Sequence, residues 1–181
     1  MPWSEKQDTN EPITPYGMTK RAIEILGYTY HYLYGLKITA LRFFTVYGPW
    51  GRPDMAYFKF ADKITKGEPI ELNNYGKMKR DFTYIDDVVS GTISAIDNPK
   101  EYEIYNLGNH KSEELLHFVE LIEKNLGKTA QKNLVSAPKG EFLENFADIE
   151  KARRDLNFEP KTSIEDGLKN FIEWYKEYYK V

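Results

Sequence analysis

The sequence predicts an α/β fold, because helix-like segments alternate with short segments rich in β-branched and aromatic residues along its 181 residues. Hydrophobic residues make up 41% of the chain and charged residues 29%, which is typical of a globular protein with a buried core. No internal repeat or low-complexity tract interrupts the alternation. The first half resembles a series of strand–helix crossover units, whereas the second half mixes short strands and helices less regularly.

The elements of the first part of the chain are defined by their end signals. Thr14 is a suitable N-cap, Pro15 fits the first helical position, and Gly35 is suited to end a helix in the left-handed conformation. The predicted elements are a loop over 1–13, a helix over 15–34, a strand over 37–46, a helix over 55–66, a strand near 70–72, an extended segment over 81–84, a helix from Asp86 to about 96, and a strand over 103–107.

The rest of the chain contains a clear amphipathic helix, with Ser112 as its expected cap and Gly127 at its end. A strand is expected near Leu134 and a short helix near Asp148. The last helix opens with the capping-box pattern TSIE at 162–165. The residues expected to face the core from these two longer helices are Leu115, Phe118, Val119, Ile122, Leu126, Leu168, Phe171, Ile172 and Tyr175.

Composition excludes several functional classes. The net charge of −3, with acidic and basic residues interspersed, gives no field for binding nucleic acid or an anionic membrane. The absence of cysteine excludes disulfides, thiolate metal sites and a cysteine nucleophile. No apolar run approaches the roughly 20 residues needed to cross a bilayer. The first 12 residues lack the apolar region of a signal peptide, so we expect a cytoplasmic protein.

Tyr16 and Lys20 stand four residues apart at the start of the first helix and so share one helix face. A free phenol has a pKa of about 10, too high for a good base at neutral pH. A neighbouring ammonium and the positive end of a helix both stabilise a phenolate, which would suit the pair to general acid–base work on an alcohol. A solvated surface pair is the alternative interpretation of the same spacing.

Two other groups of polar residues invite a metal site, which we reject. Asp86 and Asp87 are explained more simply as helix-capping residues. His31, His110 and His117 lie far apart in the sequence and have no ligand spacing.

Several segments together resemble the extended short-chain dehydrogenase/reductases, the NAD-dependent sugar epimerase/dehydratase family. The resemblance covers nearly the whole chain, and its motifs occur in the family order. These motifs are TPYGMTK (14–20), LRFFTVYGP (41–49), KRDFTYIDD (79–87), YNLG (105–108), ADIEK (147–151) and PKTSIEDG (160–167). Within the family, the segments FTVYGPWGRPDM (44–55) and GKMKRDF (76–82) are most similar to UDP-glucuronate 4-epimerases.

The resemblance implies roles at the start of the chain. Tyr16 would be the catalytic base, and Lys20 would tune it and hold the nicotinamide ribose. Phe44 and Val46 would border the nicotinamide, although core packing is an equally good explanation for Phe44. The implied reaction is C4 epimerisation of a UDP-sugar, with UDP-glucuronate favoured, through a 4-keto intermediate and with NAD as cofactor. A sugar-nucleotide 4,6-dehydratase is the alternative within the enzymes.

The resemblance also implies a set of substrate contacts. Thr45 would reach the sugar, and Arg52 and Arg80 would clamp the diphosphate through their planar guanidinium groups. Lys59 could assist, although a solvated helical lysine is the simpler interpretation. Glu141 follows Gly140 where relatives tend to carry Gly-Asp beside the nucleotide ribose, so the glutamate departs from that pattern.

By this resemblance the chain is the C-terminal portion of a Rossmann-like doubly wound parallel sheet plus a smaller mixed α/β substrate-binding domain. Residues 1–68 would be the remnant of the NAD-binding domain. Residues 69–181 would mainly form the substrate-binding domain, with some segments returning to the Rossmann sheet.

No glycine-rich dinucleotide loop occurs among the 12 glycines. We therefore expect the isolated chain to bind NAD weakly or not at all and to be inactive alone. It would act as a homo-oligomer or with a complementing N-terminal half. A non-catalytic module that binds a nucleotide sugar or self-associates is the alternative.

Overall fold

The computed structural model describes residues 1–181 and contains six α-helices and eight strands. The helices are α1 (Pro15–Tyr34), α2 (Ala56–Lys66), α3 (Ile85–Asp97), α4 (Leu115–Leu126), α5 (Glu150–Leu156) and α6 (Ile164–Tyr179). The strands are β1 (Ile38–Phe43), β2 (Thr45–Tyr47), β3 (Ile70–Leu72), β4 (Lys79–Arg80), β5 (Phe82–Tyr84), β6 (Tyr102–Leu107), β7 (Glu113–Glu114) and β8 (Lys132–Leu134). None of the helices is long and apolar enough to cross a membrane.

The strands form four pairs, of which three are parallel. β1 pairs with β6, β2 with β5, and β3 with β8, all in parallel. The short β4 and β7 pair antiparallel, with Lys79 opposite Glu114. Parallel pairs require crossover connections, and helices lie between the paired strands in each of these cases. The predicted α/β class is therefore confirmed.

The predicted single strand over 37–46 is wrong in one respect: it is interrupted at Phe44. The backbone N–H of Phe44 donates to Leu107 O of β6 (3.3 Å), whereas that of Thr45 donates to Asp81 O beside β5 (3.0 Å). The chain thus changes its pairing partner at Phe44, and one apolar run becomes β1 and β2. The composition of this apolar run does not predict the change of pairing partner, because the change depends on β5 and β6, which lie far along the sequence.

Two hydrophobic cores lie in the molecule. The larger contains 21 buried residues and is rich in aromatic side chains from α2, α4 and α6, with Phe82 stacked on Phe118 at 3.9 Å between ring centroids. The smaller contains 8 buried residues, half of them from β6 and α5 and the others from α3 and the segments that flank α5. Both sides of the predicted boundary at residue 68 contribute to the larger core, and that boundary stays a prediction.

Helix α1 agrees closely with its sequence signals. The hydroxyl oxygen of Thr14 accepts a hydrogen bond from Gly17 N, and Gly35 ends the helix with a left-handed φ of 64°. None of its residues is buried. Helix α1 packs mainly against β1.

Other predicted helix caps are wrong by one or two residues. Tyr84 is the N-cap of α3, so Asp86 lies inside the first turn, where its carboxylate interacts favourably with the positive end of the helix dipole. Asp87 instead accepts hydrogen bonds from the backbone of Lys161 and Thr162 (both 3.1 Å). These acidic residues are therefore explained without a metal.

The caps of α4 and α6 also differ from the prediction. Residues after Ser112 first form β7, so α4 begins at Leu115, and the Ser112 hydroxyl donates to Glu144 Oε1 (2.6 Å). In α6 the N-cap is Ser163 rather than Thr162. Its hydroxyl accepts from Asp166 N (3.1 Å) and donates to Asp166 Oδ2 (2.7 Å), so the cap lies one residue later than predicted.

Candidate active site

A cavity of about 410 Å³ lies between α2, the β3 strand, the β4–β5 segment and the start of α4. Its apolar wall belongs to the larger core. The wall is formed by Phe60, Ile70, Met78, Phe82, Leu115 and Phe118. Its polar lining contains both cations and carboxylates, and consists of Thr45, Asp54, Lys59, Lys63, Glu71, Asn73, Arg80 and Glu141. This volume and mixed lining suit a ligand that carries anionic groups as well as hydroxyls.

Four of the five predicted substrate-binding residues line this one cavity: Thr45, Lys59, Arg80 and Glu141. They come from β2, α2, β4 and the segment before α5, so the fold brings together residues separated by up to 96 positions in the chain. The fifth, Arg52, does not line it.

Arg80 is a largely enclosed cation of the lining, with 17% of the side chain exposed. Its Nη1 donates to Lys79 O (2.9 Å), and its Nη2 donates to Glu141 Oε2 (2.8 Å). Met78, Arg80 and Phe82 all line the cavity, as expected for alternate residues of an extended chain. A single carboxylate therefore balances a guanidinium that has several further donors.

Lys63 lines the cavity beside Lys59, and sequence reasoning missed it. The signal was present: the two lysines stand four residues apart on α2 and so share a helix face. Asp54, Glu71 and Asn73 were missed as well, and nothing in their sequence surroundings distinguishes them from surface residues.

Tyr16 and Lys20 lie outside the cavity lining, in the first turns of α1. The Lys20 Nζ is 5.2 Å from the centroid of the Tyr16 ring, and 71% of Tyr16 is exposed. The two side chains are thus neighbours on an open face, as their spacing predicts. The start of α1 also lies close to the segment that carries Glu141 of the cavity lining. A Cβ placed on Gly140 would lie 3.2 Å from Thr14 Cγ2.

The remaining predicted residues lie elsewhere. Phe44 packs against the smaller core, and Val46 is half-buried in β2 opposite Thr83 of β5. Arg52 is an exposed loop residue whose Nη2 contacts Asp54 Oδ2 at 3.1 Å. Asp54 lines the cavity, so Arg52 adjoins the lining through this ion pair.

No group of three or more histidine, aspartate or glutamate side chains in residues 1–181 is arranged to hold a metal ion. The site is therefore described by cationic, carboxylate and hydroxyl side chains and by the Tyr16–Lys20 pair.

The chain is similar to known proteins over almost all of its length. Residues 2–108 match the model of the NAD dependent epimerase/dehydratase family. The chain is 51% identical over 177 residues to an uncharacterized protein of Methanocaldococcus jannaschii, covering 98% of this chain and 54% of that protein. It is 45% identical over 177 residues to a UDP-glucuronate 4-epimerase of Thermodesulfobacterium geofontis, covering 97% and 54%. The chain spans about half the length of these curated relatives.

A solved structure shows the same architecture. The UDP-glucuronic acid 4-epimerase of Bacillus cereus, in complex with UDP-glucuronic acid and NAD, superposes with a TM-score of 0.92 at 36% identity. The match covers 99% of this chain and 57% of that one. The Rossmann-like character of the α/β fold is thereby confirmed, and the chain belongs to the NAD dependent epimerase/dehydratase family of enzymes.

Proposed function

We propose that this chain is the nucleotide-sugar-binding part of an NAD-dependent epimerase that inverts C4 of a UDP-sugar, with UDP-glucuronate as the substrate. The observation that carries the proposal is the cavity shared by Thr45, Lys59, Arg80 and Glu141. Relatives with the corresponding activity in their names are similar to this chain over almost all of its length.

In this proposal the diphosphate binds at Arg80, with Lys59 and Lys63 as further cationic partners. A guanidinium with one carboxylate partner can exchange it for phosphate oxygens and keep its charge balanced. Glu141 would then be released from Arg80. Arg52 would assist from the rim once its ion pair with Asp54 opens.

The acid–base work is assigned to the Tyr16–Lys20 pair. The Tyr16 phenolate, stabilised by the nearby ammonium, would accept the proton of the sugar 4-hydroxyl, and the resulting phenol would return it after inversion. Thr45 would bind the sugar through its hydroxyl. Lys20 would hold the nicotinamide ribose of NAD, since its ammonium lies on an open helix face next to Tyr16 and can donate to ribose hydroxyls. When bound, NAD supplies the oxidation and re-reduction of the sugar carbon.

The open surface of α1 is assigned to assembly, with a second copy or a complementing N-terminal half. Ile23, Leu26 and Leu33 are all more than half exposed on this helix, and they form an apolar surface of the kind that interfaces cover. Sedimentation velocity should show a species larger than 21.2 kDa, or a shift to one when the complementing half is added. A monomer in both conditions would contradict this part of the proposal.

The binding proposal is tested by calorimetric titration of the chain with UDP-glucuronate, UDP and NAD⁺ in separate experiments. We expect the two UDP ligands to bind and Arg80→Ala to weaken both by roughly tenfold or more, because a charge-assisted contact contributes about 1.5–3 kcal/mol. Arg154→Ala is the matched control, since that arginine is exposed and contacts only Asp155. Equal affinities for the two variants would refute the assignment of Arg80.

Turnover is tested by incubating UDP-glucuronate with NAD⁺ and the chain, with and without the complementing half, and separating the C4 epimers. Tyr16→Phe should abolish epimer formation and leave UDP affinity unchanged. Binding without any turnover in either condition would favour the non-catalytic alternative, and a 4-keto-6-deoxy product would favour the dehydratase.

A further inference from the structure

Asp81 follows Arg80 directly in the chain, and its side chain is fully buried. Its carboxylate accepts four hydrogen bonds. Oδ1 accepts from the Thr83 hydroxyl (2.9 Å) and from Asn109 N (2.6 Å), and Oδ2 accepts from His110 N (3.2 Å) and Ala147 N (3.0 Å). Both oxygens are thus fully used, and three of the four donors are backbone N–H groups.

The backbone of Asp81 adds two contacts. Its carbonyl oxygen accepts from Thr45 N (3.0 Å), and its N–H donates to Asn145 Oδ1 (3.3 Å). One residue therefore joins β2, the loop after β6 and the segment at 145–147. Two of these three regions are linked to the cavity lining. Thr45 of β2 lines the cavity itself, and the segment at 145–147 follows Glu141, which also lines it.

The surrounding backbone is shaped around this carboxylate. A Cβ on Gly108 would lie 2.7 Å from Asp81 Oδ2 and 2.5 Å from Ala147 Cβ, so only glycine fits there. His110 has a φ of 62°, in the left-handed region that non-glycine residues seldom occupy. The loop thus adopts an unfavourable conformation while presenting two consecutive N–H groups to one carboxylate.

Stability alone is a weak explanation for this arrangement. Burial raises the pKa of Asp81, and the hydrogen bonds from Ala147, Asn109, Thr83 and His110 act in the opposite direction. No cation is among the hydrogen-bond partners of the carboxylate. Burying an unpaired charge costs free energy, and an apolar residue of similar size would avoid that cost.

We propose that Asp81 is a positioning residue of the nucleotide-sugar site, which fixes Thr45, Arg80 and the segment carrying Glu141 in one arrangement around the cavity. The effect of Asp81 on ligand binding rests on the proposed function, whereas its effect on the geometry of the cavity rests on the hydrogen bonds alone. Asp81 contacts none of the cavity space itself and acts through its neighbours.

The test is amide hydrogen exchange of Asp81→Asn, followed residue by residue. An asparagine has one acceptor oxygen, so it can satisfy the donors at Oδ1 or those at Oδ2, but not both. We expect one set of amides, Asn109 or else His110 with Ala147, to exchange about tenfold faster or more, since one lost hydrogen bond is worth roughly that factor. The amides of α4 and α6 should be unchanged.

A matched control separates positioning from general destabilisation. Asn106 is another buried polar residue, whose side-chain amide donates to Trp3 O (2.9 Å) and Asp148 O (3.1 Å), and it is absent from the cavity lining. Both variants are titrated with UDP at temperatures equally far below their melting temperatures. Asp81→Asn should weaken UDP binding about tenfold, whereas Asn106→Ala should stay within about twofold.

The outcomes are decisive in each direction. Uniform acceleration of all amides in Asp81→Asn, no acceleration at all, or equal UDP affinities for the two variants would overturn the positioning role. If the unaltered chain binds no UDP, the proposed function fails, and the exchange pattern still decides whether Asp81 fixes the cavity segments.

Discussion

The region around the cavity and the region around α1 are stabilised in different ways. The cavity wall is part of a core of 21 buried residues, in which aromatic rings pack edge to face and in stacks. Helix α1, which carries Tyr16 and Lys20, has no buried residue. One of the two proposed functional surfaces therefore lies over a packed interior, and the other lies on a helix that is attached from one side.

The attachment of α1 combines an aromatic contact, between the rings of Tyr28 and Tyr102 at 5.3 Å, with a set of polar contacts around Glu24. Arg42 of β1 makes a double contact with Glu24, at 2.7 Å from Nε and 2.9 Å from Nη2. The Tyr102 hydroxyl donates to Glu24 O (2.9 Å), and Arg21 contacts the same carboxylate at 3.1 Å. The cavity wall is therefore part of a buried aromatic core, whereas α1 is joined to the sheet by a partly exposed aromatic contact and by the hydrogen bonds around Glu24.

The largest expected effect comes from breaking the aromatic core. Phe118 is fully buried and stacks on Phe82. Phe118→Ala should lower the free energy of unfolding by about 3–5 kcal/mol, because it removes buried contacts and leaves a cavity. Denaturant unfolding measures it. Tyr32→Ala on α1 is the control, since Tyr32 is 76% exposed, and it should change stability by less than about 0.5 kcal/mol.

A smaller and more local effect is expected at α1. Arg42→Met removes the double contact with Glu24 and leaves a partly buried carboxylate with Arg21 as its remaining cation, which should cost about 1.5–3 kcal/mol. Amide exchange should accelerate in α1 more than in α6. Exchange that accelerates equally in both helices would mean that the two regions unfold as one unit. Glu24→Met in the same background should recover part of the loss, because it removes the unpaired charge.

The sequence predicted best what is fixed by near neighbours. Thr14 and Gly35 delimit α1 correctly, because each cap bonds to residues within a few positions. The break at Phe44 was not predictable, because it arises where β1 leaves β6 and β2 joins β5. The cap at Ser112 failed for the same reason: the residues after it pair with β4 before α4 begins.

The candidate site follows the same division. The motif around Arg80 and the end of the predicted strand near Thr45 pointed to residues that both line the cavity, and their binding roles stay predictions. The ion pair between Arg80 and Glu141, 61 positions apart, has no signal in one sequence. The enclosure of Asp81 by Asn109, His110 and Ala147 likewise depends on how distant loops meet.

Low pH should weaken the attachment of α1 more than the core around the cavity, because Glu24 becomes protonated. Burial alone would raise the pKa of Glu24, but the hydrogen bonds and charge of Arg42 and Arg21 outweigh it and hold the pKa below its ordinary 4.5. Its folded-state pKa is therefore lower than its unfolded one, so the stabilisation is complete above about 4.5 and is lost as the pH falls through the folded pKa.

We expect α1 amides to lose protection below about pH 4.5 before those of α4 do. The effect should be smaller than that of Arg42→Met, because a protonated carboxyl still accepts hydrogen bonds from the guanidinium. Glu24→Gln is the control, since it cannot titrate and should remove this step from the pH profile. A pH profile that is the same in Glu24→Gln and in the unaltered chain would assign the acid step to other carboxyls.

The smallest effect concerns the cap of α6, which lies against the larger core. Ser163→Ala removes the acceptor for Asp166 N and should cost about 1 kcal/mol. Thr162→Ala is the control that distinguishes the observed cap from the predicted one: its backbone N–H still donates to Asp87, and its hydroxyl makes no cap, so it should cost less than about 0.5 kcal/mol. Because α6 is packed into the core, the loss should appear as a lower midpoint of unfolding for the whole chain. A loss of similar size confined to the first turn of α6 would mean that this helix, like α1, frays independently of the core beneath it.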